Sequence, residues 1–253
     1  MWQVLATIRE FGGLFYLLFL FLSPIVAFSV AVRRPQRKAL IGIWGFLLFA
    51  LLSVVVGLVG ARVYYLLVDP PTRRLDLFWN KLLSFRRGTS FFGAPIFAIS
   101  FLWLFVRLRK QSFREWIDFL APALLAGYCV ALLSCVCAGC CPGKPTDLIW
   151  GIPDKTFSHF LHPSKIYDLF ITLPFLCMTL VRTPRFSGEI GLIGCFGFCF
   201  ARIISEMFRV HSSGAYAFGS VISYAQLVAG AFLILATIGS LKWTKLDGTR
   251  QIR

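Results

Sequence analysis

Seven apolar blocks, separated by short basic clusters, constrain this chain more than any other feature. They run roughly 11–32, 39–68, 90–106, 117–139, 166–181, 190–205 and 215–241. A helix that crosses hydrocarbon needs about 20 predominantly apolar residues. Only helices and closed barrels leave no backbone polar group facing lipid, and unbroken apolar runs of this length read as helices. The third, fifth and sixth blocks fall short of that length. The hydrophobic share is 58% of 253 residues, against about 45–50% in an ordinary soluble domain, and mean hydropathy is +0.76. One core cannot hide so much apolar surface, so a water-soluble globule is excluded. The expectation is an all-α, polytopic membrane protein with about seven transmembrane helices. Residues 1–253 are expected to form a single integral membrane domain with no soluble domain appended.

The charge balance bears on partners. A formal net charge of +15 fits nucleic acid or an anionic membrane surface. The basic residues sit between apolar blocks, where they meet anionic headgroups, so the partner is membrane lipid and not nucleic acid. The cluster Arg33-Arg34-Pro35-Gln36-Arg37-Lys38 follows the first block instead of preceding it. A cleavable signal peptide has the opposite order. Positive charge resists translocation, which predicts N-out, C-in. Segments 33–38, 107–116, 182–189 and the tail from Lys242 then lie inside, and segments 69–89 and 140–165 lie on the outer face. In 69–89, Leu75, Leu77, Phe78, Leu82 and Phe85 fit one face of an amphipathic surface helix; a solvated loop fits as well. Segment 140–165 is rich in Gly, Pro and Asp and is not helical throughout.

Ionisable groups inside spanning helices are costly and usually have a task or a partner. Arg202, Glu206 and Arg209 stand at i, i+4 and i+7 along the sixth helix, at and just past the end of the sixth block, on one helix face. They form either a self-neutralising pair or a cationic site for a phosphate, with Glu206 orienting Arg202. A second cluster, Ser158-His159-Phe160-Leu161-His162-Pro163-Ser164-Lys165-Ile166-Tyr167-Asp168, marks the start of the fifth helix, with Pro163 at its first position. His162 can act as a base, hold a phosphate, or serve as a hydrogen-bonded structural residue. Tyr167, about a turn further on, is either core or site. Arg62 and Tyr64, late in the second block, read as an interface belt or a polar cavity wall.

Cys135, Cys137, Cys140 and Cys141 crowd one short stretch. Their spacing matches no usual zinc pattern, so the metal set is none. Free apolar thiols and a disulfide on an oxidising face remain as readings. Gly139 and Gly143 suggest close backbone approach where the fourth helix breaks. No P-loop, dinucleotide fingerprint, zincin motif or G-x-S-x-G is present, and no inverted repeat supports a transporter.

Several of these pieces together resemble the bacterial prolipoprotein diacylglyceryl transferases. Gly143-Lys-Pro-Thr-Asp-Leu-Ile-Trp150-Gly151 looks like that family's segment after the fourth helix. His162-Pro163-Ser164-Lys165-Ile166-Tyr167-Asp168 is similar to its His-Pro-Ser-Gln-Leu-Tyr-Glu signature. Gly60-Ala61-Arg62 with Tyr64-Tyr65, the Arg202/Glu206/Arg209 helix and Ser223-Tyr-Ala-Gln226-Leu also fit. The order and spacing agree over almost the whole chain. The resemblance implies seven helices, N-out, in the bacterial cytoplasmic (inner) membrane. It implies transfer of the diacylglyceryl group of phosphatidylglycerol to the lipobox cysteine thiol of a preprolipoprotein, with loss of glycerol phosphate and no cofactor. The implied catalytic residues are Arg202, Glu206, His162 and Tyr167. Arg62, Arg209, Lys144 and Gly143 are the implied phosphate or lipid contacts.

The chain also departs from the family pattern. Leu132 stands where the fourth helix of the family carries an Arg, and Cys135 where it carries an Asn. Phe92 replaces the His of a Phe-His-Gly-Gly motif, and Phe198 replaces a Tyr. Ala138-Gly139-Cys140-Cys141 resembles a branch with that stretch. Lys144, Lys165 and Arg62 are the cations that can take the place of the lost Arg. These departures leave open a diverged, non-catalytic relative that binds anionic lipid or acts as a membrane interaction protein.

Overall fold

In a computed structural model of the chain, residues 12–68, 93–139, 141–153, 158–210, 216–218 and 222–250 are described. The segment 69–89, Phe92 and Cys140 lie outside them. Helices dominate: α1 Gly12–Arg33, α2 Gln36–Leu40, α3 Ile43–Val68, α4 Gly93–Leu108, α5 Phe113–Ala138, α6 Ser164–Val181, α7 Glu189–Met207 and α8 Tyr224–Arg250. Six of these, all but α2 and α4, are long and apolar enough to cross a bilayer. The 16 residues of α4 would rise only about 24 Å, the short third block of the sequence. The chain is an all-α polytopic membrane protein.

Element bounds differ from the sequence reading in three places. A short helix, α2, occupies the first basic loop. The last apolar block does not begin as a helix. Its first residues form a hairpin of β3 Tyr216–Phe218 and β4 Ile222–Ser223, and α8 starts only at Tyr224. Ser223 and Gln226 fix that start with a capping box. Gln226 N–H donates to Ser223 Oγ at 3.2 Å, and Ser223 N–H donates to Gln226 Oε1 at 3.0 Å. Finally, Pro163 precedes α6 as its cap residue instead of opening it.

Two compact units divide the chain. One, Pro35–Trp116, contains α2, α3, α4 and the first residues of α5. Its helices α3 and α4 cross where Gly60 meets Gly93, and a Cβ on Gly93 would overlap the Gly60 carbonyl oxygen. Its aromatic core packs Phe49 against Phe105 and Trp116 with tilted rings, centroids 4.8 and 5.1 Å apart. Gln111 closes the unit: its Nε2 donates to Leu40 O at 2.7 Å, and its Oε1 accepts from Trp116 Nε1 at 2.9 Å.

The other unit, 1–34 with 117–253, contains α1, most of α5, and α6 to α8. Its helix α7 carries Gly191, Gly194 and Gly197, one every three residues. A Cβ on Gly191 would press into Ile117, one on Gly194 would sit 2.9 Å from the Ala121 Cβ, and one on Gly197 would overlap Phe175. Small residues at a crossing let helix backbones approach closely. Here they seat α7 against both α5 and α6, with α5 parallel and α6 antiparallel to it. At the far end Asp118 of α5 accepts from the backbone N–H of Gly188 at 2.6 Å and of Gly191 at 2.8 Å. The first N–H groups of a helix have no partner of their own, so this carboxylate acts as a cap supplied from a neighbouring helix. Gly188 takes φ +100° there, a backbone geometry that glycine adopts without strain. Arg34 donates to Asp118 O at 3.5 Å; its burial lowers the guanidinium below its ordinary value, partly offset by the Asp118 charge. Arg182 pairs with Glu189 at 2.6 Å, and Glu189 also accepts from the Arg185 N–H.

Candidate functional site

At the opposite end of the same unit, three helices bring together a buried ionic cluster. Arg202 of α7 stands five residues before the helix ends at Met207, about 8 Å inside it at 1.5 Å per residue. Its Nη2 donates to Glu206 Oε2 at 3.0 Å and its Nη1 to Asp168 Oδ2 at 3.3 Å. Glu206 Oε1 accepts from Arg209 Nη1 at 3.2 Å. The i, i+4 and i+7 spacing thus produces the chain of pairs that it implied, with Glu206 between two guanidiniums.

Sequence reasoning missed the hub of this cluster. Asp168, read as a helix-start residue, is fully buried. Its Oδ2 accepts from Tyr128 Oη at 2.8 Å, Ser205 Oγ at 3.2 Å and Arg202 Nη1 at 3.3 Å. Lys165 Nζ lies 3.7 Å from the same oxygen. Asp168 Oδ1 has no hydrogen-bond partner among the described residues. These donors come from α5, α6 and α7, so Asp168 ties three helices at one atom. A buried charge is tolerated only when paired and hydrogen-bonded, which explains why the donors converge. Phe198 packs edge-on against Tyr128, with centroids 5.0 Å apart, so the hydroxyl missing from Phe198 is present on the opposing ring.

A second polar group lies beside the first. Tyr167 Oη accepts from Trp150 Nε1 at 2.8 Å and lies 3.1 Å from His162 Nδ1. Phe208, next to Arg209, packs on both rings at 5.0 and 5.3 Å. Tyr167 and His162 are half-buried.

A small sheet holds this second group in place. Lys144 N–H donates to Phe208 O at 2.8 Å, His162 N–H to Lys144 O at 2.9 Å, and Val210 N–H to Pro142 O at 3.1 Å. The segment 142–146 therefore lies between the end of α7 and strand β2, Phe160–Leu161, which also pairs with β1, Ile152–Pro153. Gly143 is required by close approach, because a Cβ there would overlap the His162 carbonyl oxygen. Gly139 differs: open space surrounds it, and its φ of +57° explains the glycine. Both were expected at a close backbone contact, and only Gly143 makes one.

The remaining expected residues fall elsewhere. The Lys144 side chain is exposed; its backbone, not its ammonium, joins the site. Arg62 is a buried residue of α3 in the Pro35–Trp116 unit. Leu132 is buried one turn beyond Tyr128. Cys135, Cys137 and Cys141 form no disulfide among the described residues. Among the described residues no three His, Cys, Asp or Glu side chains converge as a metal set.

Comparison with known proteins gives a consistent picture. The family model described as prolipoprotein diacylglyceryl transferase matches residues 3–241. A phosphatidylglycerol–prolipoprotein diacylglyceryl transferase of Legionella pneumophila is 29% identical over 187 residues, which is 70% of this chain and 73% of that protein. The enzyme of the same name from Thermotoga petrophila is 28% identical over 231 residues, or 86% and 76% of the two chains. That of Campylobacter lari is 22% identical over 239 residues, or 87% and 86%.

Proposed function

The chain belongs to the prolipoprotein diacylglyceryl transferase family, and from that premise we propose how its own residues carry the reaction. It is a transferase of lipoprotein biosynthesis that moves the diacylglyceryl group of phosphatidylglycerol to a prolipoprotein. The acceptor is the thiol of a lipobox cysteine. The cysteine sulfur attacks the diacylglyceryl carbon that carries the phosphate oxygen. A C–S bond forms, the C–O bond breaks, and glycerol phosphate departs with the electron pair.

Negative charge grows on the phosphate as that bond breaks. Donors already aimed at such a charge in a dry site lower the barrier most. Arg202 is the residue for this task. It is buried within a spanning helix and held from both sides by Asp168 and Glu206 at 3.3 and 3.0 Å. That clamp is the observation that carries the reading. Arg209, fixed to Glu206, supports it. The thiolate is the nucleophile, so a base must take the thiol proton. When His162 Nδ1–H donates to Tyr167 Oη, its Nε2 is left as an acceptor for that proton. Tyr167 holds the ring with the help of Trp150. The short basic loops support a site in the outer half of the bacterial inner membrane, with the N-terminus outside and the C-terminus inside.

The test is a host depleted of its own transferase. Membranes with this protein, supplied with phosphatidylglycerol and a lipobox peptide, gain one diacylglyceryl mass on the cysteine. Arg202→Gln abolishes the gain, and His162→Ala lowers it. Absence of the mass with well-expressed wild-type protein would overturn the assignment and favour a lipid-binding relative.

A further inference from the structure

At one end of the Pro35–Trp116 unit, two short stretches are rich in positive charge. Residues 35–44 carry Arg37 and Lys38, and residues 107–116 carry Arg107, Arg109, Lys110 and Arg114, with Glu115 as their one acid. Gln111 ties the two stretches together through its 2.7 Å bond to Leu40 O. Lys38 lies two residues from that joint and Lys110 adjoins it, so cations from both stretches meet there. The side chains of Lys38, Arg107, Arg109 and Lys110 are exposed.

Positive charge that only fixes topology needs no particular placement, and these side chains have one. The Arg107 guanidinium lies over the Trp103 ring at 5.2 Å, and that of Arg109 over the Phe105 ring at 5.6 Å. Stacking steadies the planar fork and leaves its N–H edge open to a phosphate. Lys110 closes α4. Its N–H donates to Arg107 O at 3.1 Å, and the Gln111 N–H donates to Val106 O at 3.0 Å. In this paired helix ending the left-handed residue is usually glycine. Lys110 takes φ +53° there, so an ammonium is kept against backbone strain.

An apolar wall lies beneath the cations. Gly60 meets Gly93 and Phe49 meets Phe105, so α3 and α4 run antiparallel and the start of α3 stands level with the end of α4. At that level Trp44 is 80% exposed, Leu108 75% and Trp103 52%. Tryptophan is enriched where helices meet the headgroups. Cations above exposed apolar helix faces suit a lipid, with phosphate at the loops and acyl chains along the helices.

We infer that this end of the unit is a docking site for an anionic lipid whose headgroup carries two phosphates. A single phosphate reaches one stretch of cations. Two phosphates on one headgroup engage both, and the second contact is then intramolecular. The apolar wall favours a lipid over a soluble polyanion. None of these residues takes part in the Arg202 cluster, so the inference does not depend on the transfer chemistry.

The experiment uses the full chain in phosphatidylcholine nanodiscs doped with diphosphatidylglycerol or, at equal phosphate, phosphatidylglycerol. Native mass spectrometry measures retained lipid, and melting curves give the stabilisation that each lipid confers. Diphosphatidylglycerol is expected to be retained about fivefold better or more, the factor of one further basic contact at an anionic surface. Lys110→Gly relieves the left-handed strain, so it should melt no lower than the wild type in phosphatidylcholine alone. It should nevertheless lose about fivefold in diphosphatidylglycerol retention, and Lys110→Arg should keep that retention. Arg107→Gln/Arg109→Gln should lose about 25-fold. Equal retention of the two lipids by the wild type, or wild-type retention in Lys110→Gly, overturns the inference. Displacement of the lipid by an equal concentration of soluble inorganic diphosphate also overturns it, because the apolar wall would then contribute nothing. Each of these failures leaves the transfer reading standing, since Arg202→Gln and His162→Ala test that reading by peptide mass.

Discussion

Replacing Asp168 by Asn tests the centre of the site most directly. The shapes are nearly identical, so the variant removes charge without leaving a cavity. One oxygen currently receives Tyr128, Ser205 and Arg202 and faces Lys165. In Asp168→Asn, Arg202 loses one of the two carboxylates that hold it and keeps Glu206, and Lys165 loses the carboxylate 3.7 Å from its ammonium. Breaking one side of a buried ion pair costs about 3–5 kcal/mol. Tyr128→Phe is the matched control, because it removes one hydrogen bond to a charged group, worth about 1.5–3 kcal/mol, and leaves every ion pair in place. Asp168→Asn should therefore lower the thermal midpoint in detergent, followed by size exclusion after heating, by clearly more than Tyr128→Phe. Transfer to a lipobox peptide should fall steeply in Asp168→Asn and mildly in Tyr128→Phe. The two effects should also be far from additive with Glu206→Gln, because both carboxylates hold the same guanidinium. If Asp168→Asn melts with the wild type and transfers at the wild-type rate, Asp168 is not the tie between α5, α6 and α7 and the reasoning is refuted.

Gly143→Ala should abolish transfer and lower expression, because the new methyl overlaps the His162 carbonyl; a wild-type rate in membranes would contradict that packing. Asp118→Ala removes two backbone acceptances at the start of α7 and should cost about 1–2 kcal/mol of stability, with the turnover of the protein that remains folded unchanged. A melting curve paired with a rate measurement separates these two effects. Fusions at residue 253 test orientation: a cytoplasmic fluorescent reporter should glow there and a periplasmic phosphatase should be inactive, and the reverse result would invert the proposed topology.

What the sequence reveals and what it hides follow from distance along the chain. Arg202, Glu206 and Arg209 lie within two turns of one helix, so their pairing is written in their spacing. Asp168 meets Tyr128 across 40 residues and Arg202 across 34. No periodicity connects residues so far apart, and Tyr128 within an apolar block reads as core. Lys165 was visible as a replacement cation, but only packing distinguishes it from Lys144: one is buried and the other exposed. The hairpin ahead of α8 was hidden for a different reason. Tyr216–Phe218 and Ile222–Ser223 are as apolar as the helix that follows, and such short strands have no alternation to betray them. Gly143 was legible as a close contact because it adjoins Pro142 in a region unable to continue a helix. Gly139 was assigned the wrong reason, since φ is not visible in composition.

The glycines of α7 have a further consequence. They seat the helix at Gly191, Gly194 and Gly197, while Asp118 clasps its first turn, and all of these contacts precede Arg202 along the helix. From Gly191 to Arg202 is about 16 Å of helix. The helix therefore works as a ruler whose zero mark is at one membrane face and whose reading is taken near the other. One inserted residue between Gly197 and Arg202 would swing the guanidinium by about 100° and leave the hydropathy of the span almost unaltered. Evolution can repaint the lipid-facing side of this helix freely, but cannot change its length.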